Sequence, residues 1–276
     1  MTDEAVVVIE PSKAWVAVNL RDLWIYRELL YFLIWRDIKV RYKQTVFGIA
    51  WVVMQPLLMT IIFTIFLGNL ARVPSGAGQV PYAVSAYAGL MIWIFFSGAV
   101  SVGSQSLIGN AHLITKIYFP RLIIPCGAIG GRLLDLIISF SLLIILMVYY
   151  RVSLTWSSIG IIIPITLTVF LALGFSMLTG ALNAKYRDVG IALPVLIQLW
   201  MFVSPVVYPL TYVPAQWQRI YSLNPLVGII ESFRAWLFNR PLNRWALTVS
   251  VVTTIVLLVY SAYAFRRMEK SFADLI

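Results

Sequence analysis

The feature that most constrains this sequence is a long stretch without formal charge that follows directly on a cluster of basic residues. No Asp, Glu, Lys or Arg occurs between Lys43 and Arg72, and four basic residues lie between positions 36 and 43. A helix that crosses the hydrocarbon core of a bilayer needs about 20 apolar residues, so this stretch is long enough. It predicts a first membrane-spanning helix with a cationic segment at its N-terminal end.

Five stretches of the chain are long enough to span a membrane, and a sixth is shorter and contains proline. Hydrophobic residues make up 61% of the 276 residues and charged residues 12%, which is far more apolar than a typical soluble domain. We therefore predict an all-α integral membrane protein with six transmembrane helices. The predicted spans are residues 47–70, 83–108, 122–149, 159–182, 191–208 and 245–265, of which 191–208 is the short one.

Two segments outside these spans have apolar residues at helical spacing. Residues 22–45 carry aromatic and apolar residues on one side and charged residues on another, which predicts an amphipathic helix along the membrane interface. Residues 212–238 contain two short apolar stretches that cannot cross a bilayer. They predict a short re-entrant helical hairpin between spans five and six. The transmembrane domain is thus predicted at 22–267, between cytoplasmic tails at 1–21 and 268–276.

The basic residues predict the orientation of the chain. Most Lys and Arg residues lie in the N-terminal segment, in the loops around Lys116 and Lys185, and in the C-terminal tail. With six spans these segments share one side of the membrane, and an excess of Lys and Arg marks the cytoplasmic side. Both termini are therefore predicted to be cytoplasmic. The charge of +10 follows the edges of the spans and forms no separate basic domain, so nucleic acid is not a predicted partner.

Charged residues inside predicted spans are costly and draw attention as functional candidates. Arg132 and Asp135 lie one helical turn apart in the third span, a spacing that allows an ion pair. The alternative is that Asp135 relays protons or cations, although no second acid is placed to receive them. Glu231 and Arg234 repeat the spacing in the hairpin, where they either line an exit for a polar substrate or pair with each other.

The sequence lacks the residues that several kinds of functional site require. The chain has one cysteine and one histidine, which leaves no internal disulfide and predicts no metal site. It has no GxxxxGK[ST] phosphate loop, so ATP would have to bind to another chain. A membrane-bound transferase would need a catalytic acid or base in a polar pocket, and the few candidates lie in separate elements. Aromatic residues are abundant, and they suit either stacking with sugar rings in a path or the usual interfacial belts.

Four segments together resemble the permease subunits of bacterial type-2 ABC exporters of polysaccharides, which include O-antigen, capsule and teichoic-acid exporters. The resemblance extends over about residues 22–267. The segments are RDIKVRYKQTVFGIAWVVMQPLL (36–58), NAHLITKIYFPRLIIP (110–125), KYRDVGIALPVLIQLWMFVSPVVYP (185–209) and LNPLVGIIESFR (223–234).

This resemblance implies a transporter subunit, not an enzyme, in the bacterial inner membrane. It implies a homodimer that binds two copies of an ATPase subunit, which would carry ATP and Mg²⁺, while this chain holds no cofactor. The expected substrate is a lipid-linked polysaccharide similar to O-antigen. Alternatives are teichoic acid, capsule, or a small lipid or drug.

The resemblance, together with charge and aromatic placement, also gives expected roles to individual residues. The substrate path is expected at Tyr42, Phe47, Trp51, Trp200, Phe202 and Tyr208. Contact with lipid headgroups, whether of the substrate or of the bilayer, is expected at Arg41 and Lys43. The surface that couples to the ATPase is expected at Arg36, Asp37, Lys39, Asn110, His112, Lys116 and Arg121. The external gate is expected at Tyr212, Trp217, Glu231 and Arg234.

Overall fold

The structure is a computed structural model that describes residues 24–43, 48–75, 80–269 and 272. Within these ranges the regular secondary structure is helical, with no strand. The C-terminal part of α2 is π-helical, the first residues of α6 form a 3-10 helix, and a short 3-10 helix at Leu210–Tyr212 precedes α8. The helices are α1 (Arg27–Lys43), α2 (Ala50–Leu70), α3 (Tyr82–Gly109), α4 (Ala111–Lys116), α5 (Ile123–Tyr149), α6 (Trp156–Lys185), α7 (Asp188–Phe202), α8 (Ala215–Tyr221), α9 (Pro225–Leu237) and α10 (Arg244–Glu269).

The predicted all-α membrane fold is confirmed. Five helices, α2, α3, α5, α6 and α10, are long and apolar enough to cross a membrane, and they correspond to the five long predicted spans. The sixth predicted span is represented by α7, whose 15 residues extend about 22 Å. That is less than the hydrocarbon thickness of about 30 Å. A count of six spans therefore stays a prediction, as do the re-entrant position of α8 and α9 and the cytoplasmic tails. Residues 1–21 lie outside the described ranges.

Helix α3 is the centre of the fold. Of its most apolar part, 83% of the residues are buried inside the protein, against 11% for α2. Small residues bring α6 close to it: a Cβ on Gly103 would overlap the side chain of Ser176, whose hydroxyl donates to the Ala99 carbonyl at 3.3 Å. On the side of α5, the Tyr87 hydroxyl donates to the Ser139 carbonyl at 2.9 Å. Hydroxyl groups of Tyr87 and Ser176 are thus satisfied by carbonyls of neighbouring helices, as lipid requires.

Helix α1 packs on the N-terminal half of α5 through glycines. Leu33 is 2% exposed and lies against Gly127, where a Cβ would be 3.1 Å from that of Leu33. Ile34 lies similarly against Gly130. The opposite side of α1 exposes large aromatic residues, among them Tyr31 and Phe32. The helix is therefore held to the transmembrane bundle along one side and presents aromatic rings along another.

Helices α2 and α7 lie at the periphery and keep most of their apolar side chains exposed. In α2, Ile61, Ile62 and Phe66 are each more than half exposed. In α7, Ile191 is 76% exposed and Leu196 60%. Apolar surface of this extent requires lipid or another protein chain as its neighbour.

The short helix α9 is held closely against α10. A Cβ on Gly228 would overlap the carbonyl oxygen of Ala246 and the hydroxyl of Ser250. The same hydroxyl donates to the Pro225 carbonyl at 2.6 Å, at the start of α9. Asn224 caps this start, since its side-chain oxygen accepts from the Leu226 N–H at 3.1 Å. The chain after α7 is thereby fixed to the last long helix.

We predict that Gly228→Ala destabilises the protein by about 1–3 kcal/mol, because the added methyl group has to push α9 away from the α10 backbone. The measurement is the thermal unfolding midpoint of the purified protein in neutral detergent. Gly109→Ala is the matched control, since a Cβ there meets nothing within 4 Å. Equal midpoints for the two variants would show that the α9–α10 contact is not tight.

Candidate functional site

A cluster of polar residues joins the end of α1 to the middle of α5. The carboxylate of Asp135 accepts hydrogen bonds from Arg41 Nη1 at 2.7 Å, from Arg132 Nη1 at 3.1 Å and from the Tyr42 hydroxyl. The ion pair that the sequence predicts between Arg132 and Asp135 is present in the structure. The two partners from α1 could not be inferred from spacing, because they lie more than 90 positions away in the chain.

The Asp135 cluster carries more positive than negative charge. Two guanidinium groups share one carboxylate, and the neighbouring Arg36 and Asp37 pair with each other at 2.9 Å. Burial, and then the hydrogen bond to Asp135, raise the pKa of Tyr42 to about 12. Tyr42 therefore remains a neutral donor at physiological pH and adds no negative charge. One positive charge is left in excess at the cluster.

Two adjoining cavities open beside Arg132. The smaller has a volume of about 140 Å³ and lies between α2, α3 and α5, with Arg41, Trp51 and Asp135 in its wall. The larger has a volume of about 530 Å³ and extends to α7, with Gln198 and Phe202 in its wall. Both are lined by Gln55, Ile94 and Arg132. We call the two cavities together the α2–α7 groove.

Two of the predicted path aromatics line this groove. Trp51 and Phe202 are 51% and 65% exposed. Trp200 instead lies against Phe96 and Phe175 in the protein core, with ring centroids 5.4 and 5.0 Å away. Trp200 therefore does not belong to the groove wall, and its role on a substrate path stays a prediction.

Two more of the predicted path residues, Tyr208 and Tyr42, make specific hydrogen bonds. Tyr208 bonds to the Tyr221 hydroxyl at 2.5 Å and to the Phe202 carbonyl at 2.8 Å, and Tyr42 donates to Asp135. Phe47 lies outside the described residues. A path along all of these residues stays a prediction.

Arg234 has a role that sequence reasoning did not anticipate. Its side chain is 4% exposed, and it donates to four carbonyl oxygens and only weakly to Glu231, at 3.4 Å. The carbonyls belong to Ser85 on α3 and to Pro205, Val206 and Tyr208 in the non-helical segment after α7, at 2.6 to 3.2 Å. Arg234 thus neither lines an exit nor faces water, and it fastens the chain after α7 to α3.

Of the other three predicted gate residues, two lie at the surface. Tyr212 is 57% exposed and Trp217 54%. Glu231 accepts a hydrogen bond from the Leu210 N–H at 3.2 Å, so it supports the segment in which Tyr212 lies. A gating role for these residues stays a prediction.

Some of the predicted coupling residues are exposed, and others form hydrogen bonds within the protein. Lys39 on α1, and His112 and Lys116 on α4, are exposed. Arg121 donates to the Glu269 carbonyl and thereby holds the end of α10. The Asn110 side chain donates to the Ser106 carbonyl, one helical turn earlier, at 2.7 Å. The Lys39 ammonium group also lies over the Trp35 ring, 5.2 Å from its centroid. The exposed residues of α1 and α4 are accessible to a partner chain.

Arg41 and Lys43, the two predicted headgroup contacts, differ in their surroundings. Arg41 is held by Asp135, whereas Lys43 is exposed at the end of α1. Arg132, which the sequence assigned only to an ion pair, is the cation that lines both parts of the groove. Among the described residues, no group of three or more His, Cys, Asp or Glu is placed to hold a metal ion.

Comparison with known proteins gives a consistent result. Residues 28–238 match the model of the family described as ABC-2 type transporter. The chain is 28% identical to the O-antigen export system permease protein RfbA of Myxococcus xanthus, over 93% of this chain and 98% of the relative. It is 29% identical to a protein of the same name from Klebsiella pneumoniae, over 90% and 95%. The capsule polysaccharide export inner-membrane protein CtrC of Neisseria meningitidis is 22% identical, over 91% and 95%.

We predict that Arg234→Lys destabilises the protein by at least about 2 kcal/mol, because a lysine cannot reach all the carbonyls that the guanidinium satisfies, and buried acceptors are left unpaired. The thermal unfolding midpoint in detergent measures this. Arg219→Lys is the control, since Arg219 is exposed on α8. A midpoint for Arg234→Lys equal to that of the control would contradict the fastening role.

Proposed function

The chain belongs to the ABC-2 type transporter family, and on this premise we propose that it is the permease subunit of an exporter of lipid-linked polysaccharide. The likeness to two O-antigen export permeases over nearly their whole length favours an O-antigen-like glycan. The identity to the capsule exporter protein is lower, so capsule is the second candidate. Teichoic acid and small lipids or drugs are lower-ranked candidate substrates.

The observation that carries the proposal is the α2–α7 groove. Its walls combine apolar and aromatic side chains with the neutral polar groups of Gln55, Gln198 and Ser101, a mixture that suits an amphiphile with a sugar headgroup. The flanking helices keep their apolar sides exposed. A second copy of the chain, packed against α2 and α7, would cover these sides and close a path between two grooves.

The energy for transport has to come from another chain. Since the sequence has no phosphate loop, we place ATP and Mg²⁺ on a separate ATPase subunit, two copies of which would bind the dimer. From the positive-inside pattern we infer that α1, α4 and both termini lie on the cytoplasmic side of the inner membrane of a bacterium. Exposed Lys39, His112 and Lys116 would then face the ATPase.

A mechanism follows from how α1 is attached. Movement of the ATPase subunits on binding ATP would push on α1, and α1 is bonded through Arg41 to Asp135 of α5, beside the groove. The groove would open between α2 and α7, which have few contacts with the core. ATP can shift this equilibrium only by its different affinity for the two states.

We predict that cells depleted of this chain lose surface polysaccharide and accumulate glycan inside. The measurement compares surface and intracellular glycan before and after depletion, with the wild-type chain restored as control. Surface polysaccharide that persists at normal levels, together with failure of any ATPase to co-purify with the tagged chain, would reject the proposed function.

We predict that Lys39→Glu combined with Lys116→Glu reduces export at least tenfold, because reversed charges on α1 and α4 repel the surface that the wild-type cations attract. The recovered amount of co-purified ATPase should fall in parallel, while the level of the permease in the membrane is unchanged. Arg219→Glu, a charge reversal on exposed α8, is the control. Export that falls equally in the control would argue against a coupling surface on α1 and α4.

A further inference from the structure

The guanidinium of Arg132 has an edge that no described residue uses. Asp135 binds Nη1 only, and Nε is buried without a hydrogen-bond partner. Among the described residues, none bonds to Nη2. The Nε and Nη2 groups form the parallel pair of donors with which arginine binds carboxylates and phosphates in two-point fashion. Nε is shielded in this conformation, so a ligand in the groove meets Nη2 first and reaches Nε only when the guanidinium turns. That turn is favourable with a ligand present, because a buried donor without a partner is costly.

The position of this edge is set by the neighbouring helix. The guanidinium lies against Gly98 of α3, where a Cβ would be 3.2 Å from Nη1 and 3.3 Å from the central carbon. The absence of a side chain at Gly98 therefore makes room for Arg132. The residue lines both cavities of the α2–α7 groove, so a ligand in either one meets the same cation.

The charge around the groove favours an anion. Arg41 and Arg132 share the single carboxylate of Asp135, at 2.7 and 3.1 Å, which leaves one positive charge in excess. Both arginine side chains are about a quarter exposed, so water screens part of this charge, and an anion in the groove would compensate the rest. An Arg fork, with its two parallel donors, matches a phosphate better than a halide ion.

We propose that the α2–α7 groove binds the phosphate group of an amphiphile, with Arg132 as its main contact. This assignment rests on the proposed function in taking that amphiphile to be the lipid-linked substrate. The wall beyond Arg132 supplies neutral donors and acceptors for sugar hydroxyls, from Gln55, Gln198, Ser97 and Ser101. The volume of about 530 Å³ is within the range of small-molecule sites.

The test uses the full-length chain in neutral detergent, titrated with farnesyl diphosphate, and the thermal unfolding midpoint reports binding. Farnesol is the matched neutral probe. Farnesyl diphosphate should stabilise the wild-type protein, and its affinity should fall at least tenfold in Arg132→Gln and less in Arg132→Lys. Arg219→Gln, on the exposed surface of α8, should bind as the wild type does. The response to farnesol should be the same in all four proteins.

A second variant tests the same site without changing a charge, because loss of the Arg132 charge could itself unfold the protein. Gly98→Val keeps every charge but occupies the space of the Arg132 guanidinium, so it should also weaken diphosphate binding. Wild-type affinity in both Arg132→Gln and Gly98→Val would overturn the proposal. Equal Arg132-dependent binding of dioctanoyl phosphatidylglycerol would assign the phosphate to an ordinary bilayer lipid and overturn the link to an exported one.

The outcome can be separated from that of the proposed function. If diphosphate does not bind, yet an ATPase co-purifies and depletion removes surface polysaccharide, the phosphate site is wrong and the transport function stands. If binding depends on Arg132 but depletion leaves surface polysaccharide intact, the transport function is wrong and an anion site remains.

Discussion

The fold depends on how backbone carbonyls are satisfied where α7 ends. A chain that leaves the helical conformation within an apolar environment exposes carbonyl oxygens that lipid cannot bind. Arg234 supplies the missing donors, to Pro205, Val206 and Tyr208. Because its Nε also binds the Ser85 carbonyl of α3, the same side chain ties this segment to the centre of the bundle. Arg234 thereby stabilises the segment in which α7 ends.

A shared carboxylate links α1 to the groove. One carboxylate, that of Asp135, holds Arg41 from α1 and Arg132 from its own helix. Any displacement of α1 along α5 changes the distance between Arg41 and Asp135, and so changes how strongly Asp135 holds Arg132. The cation that faces the groove is therefore coupled physically to the helix that we propose receives the push of the ATPase.

The sequence allowed the long helices to be predicted, because a charge-free stretch of about 20 residues has few alternatives to a membrane helix. It also predicted the Arg132–Asp135 pair, since both residues lie on one helix turn. It could not predict that Arg41 bonds to Asp135, or that Trp200 packs against Phe96 and Phe175. Both contacts depend on which helices become neighbours in the fold. The sequence offered two interpretations of Arg234, lining an exit or pairing with Glu231, and could not reveal its main contacts. The acceptors are backbone carbonyls, which leave no signal in a sequence pattern.

The distribution of contacts indicates which parts of the protein can move. Helix α3 is almost fully enclosed, and its close contact with α6 at Gly103 and Ser176 leaves no room for one to slide past the other. Helices α2 and α7 have most of their apolar surface outside the bundle, so moving them breaks few contacts of the core. Trp200 nevertheless anchors the end of α7, through its rings and a hydrogen bond from Nε1 to Asn224 at 3.1 Å. The part of α7 that lines the groove, Pro194–Phe202, is thus held to the core, so we expect the groove to open mainly by movement of α2.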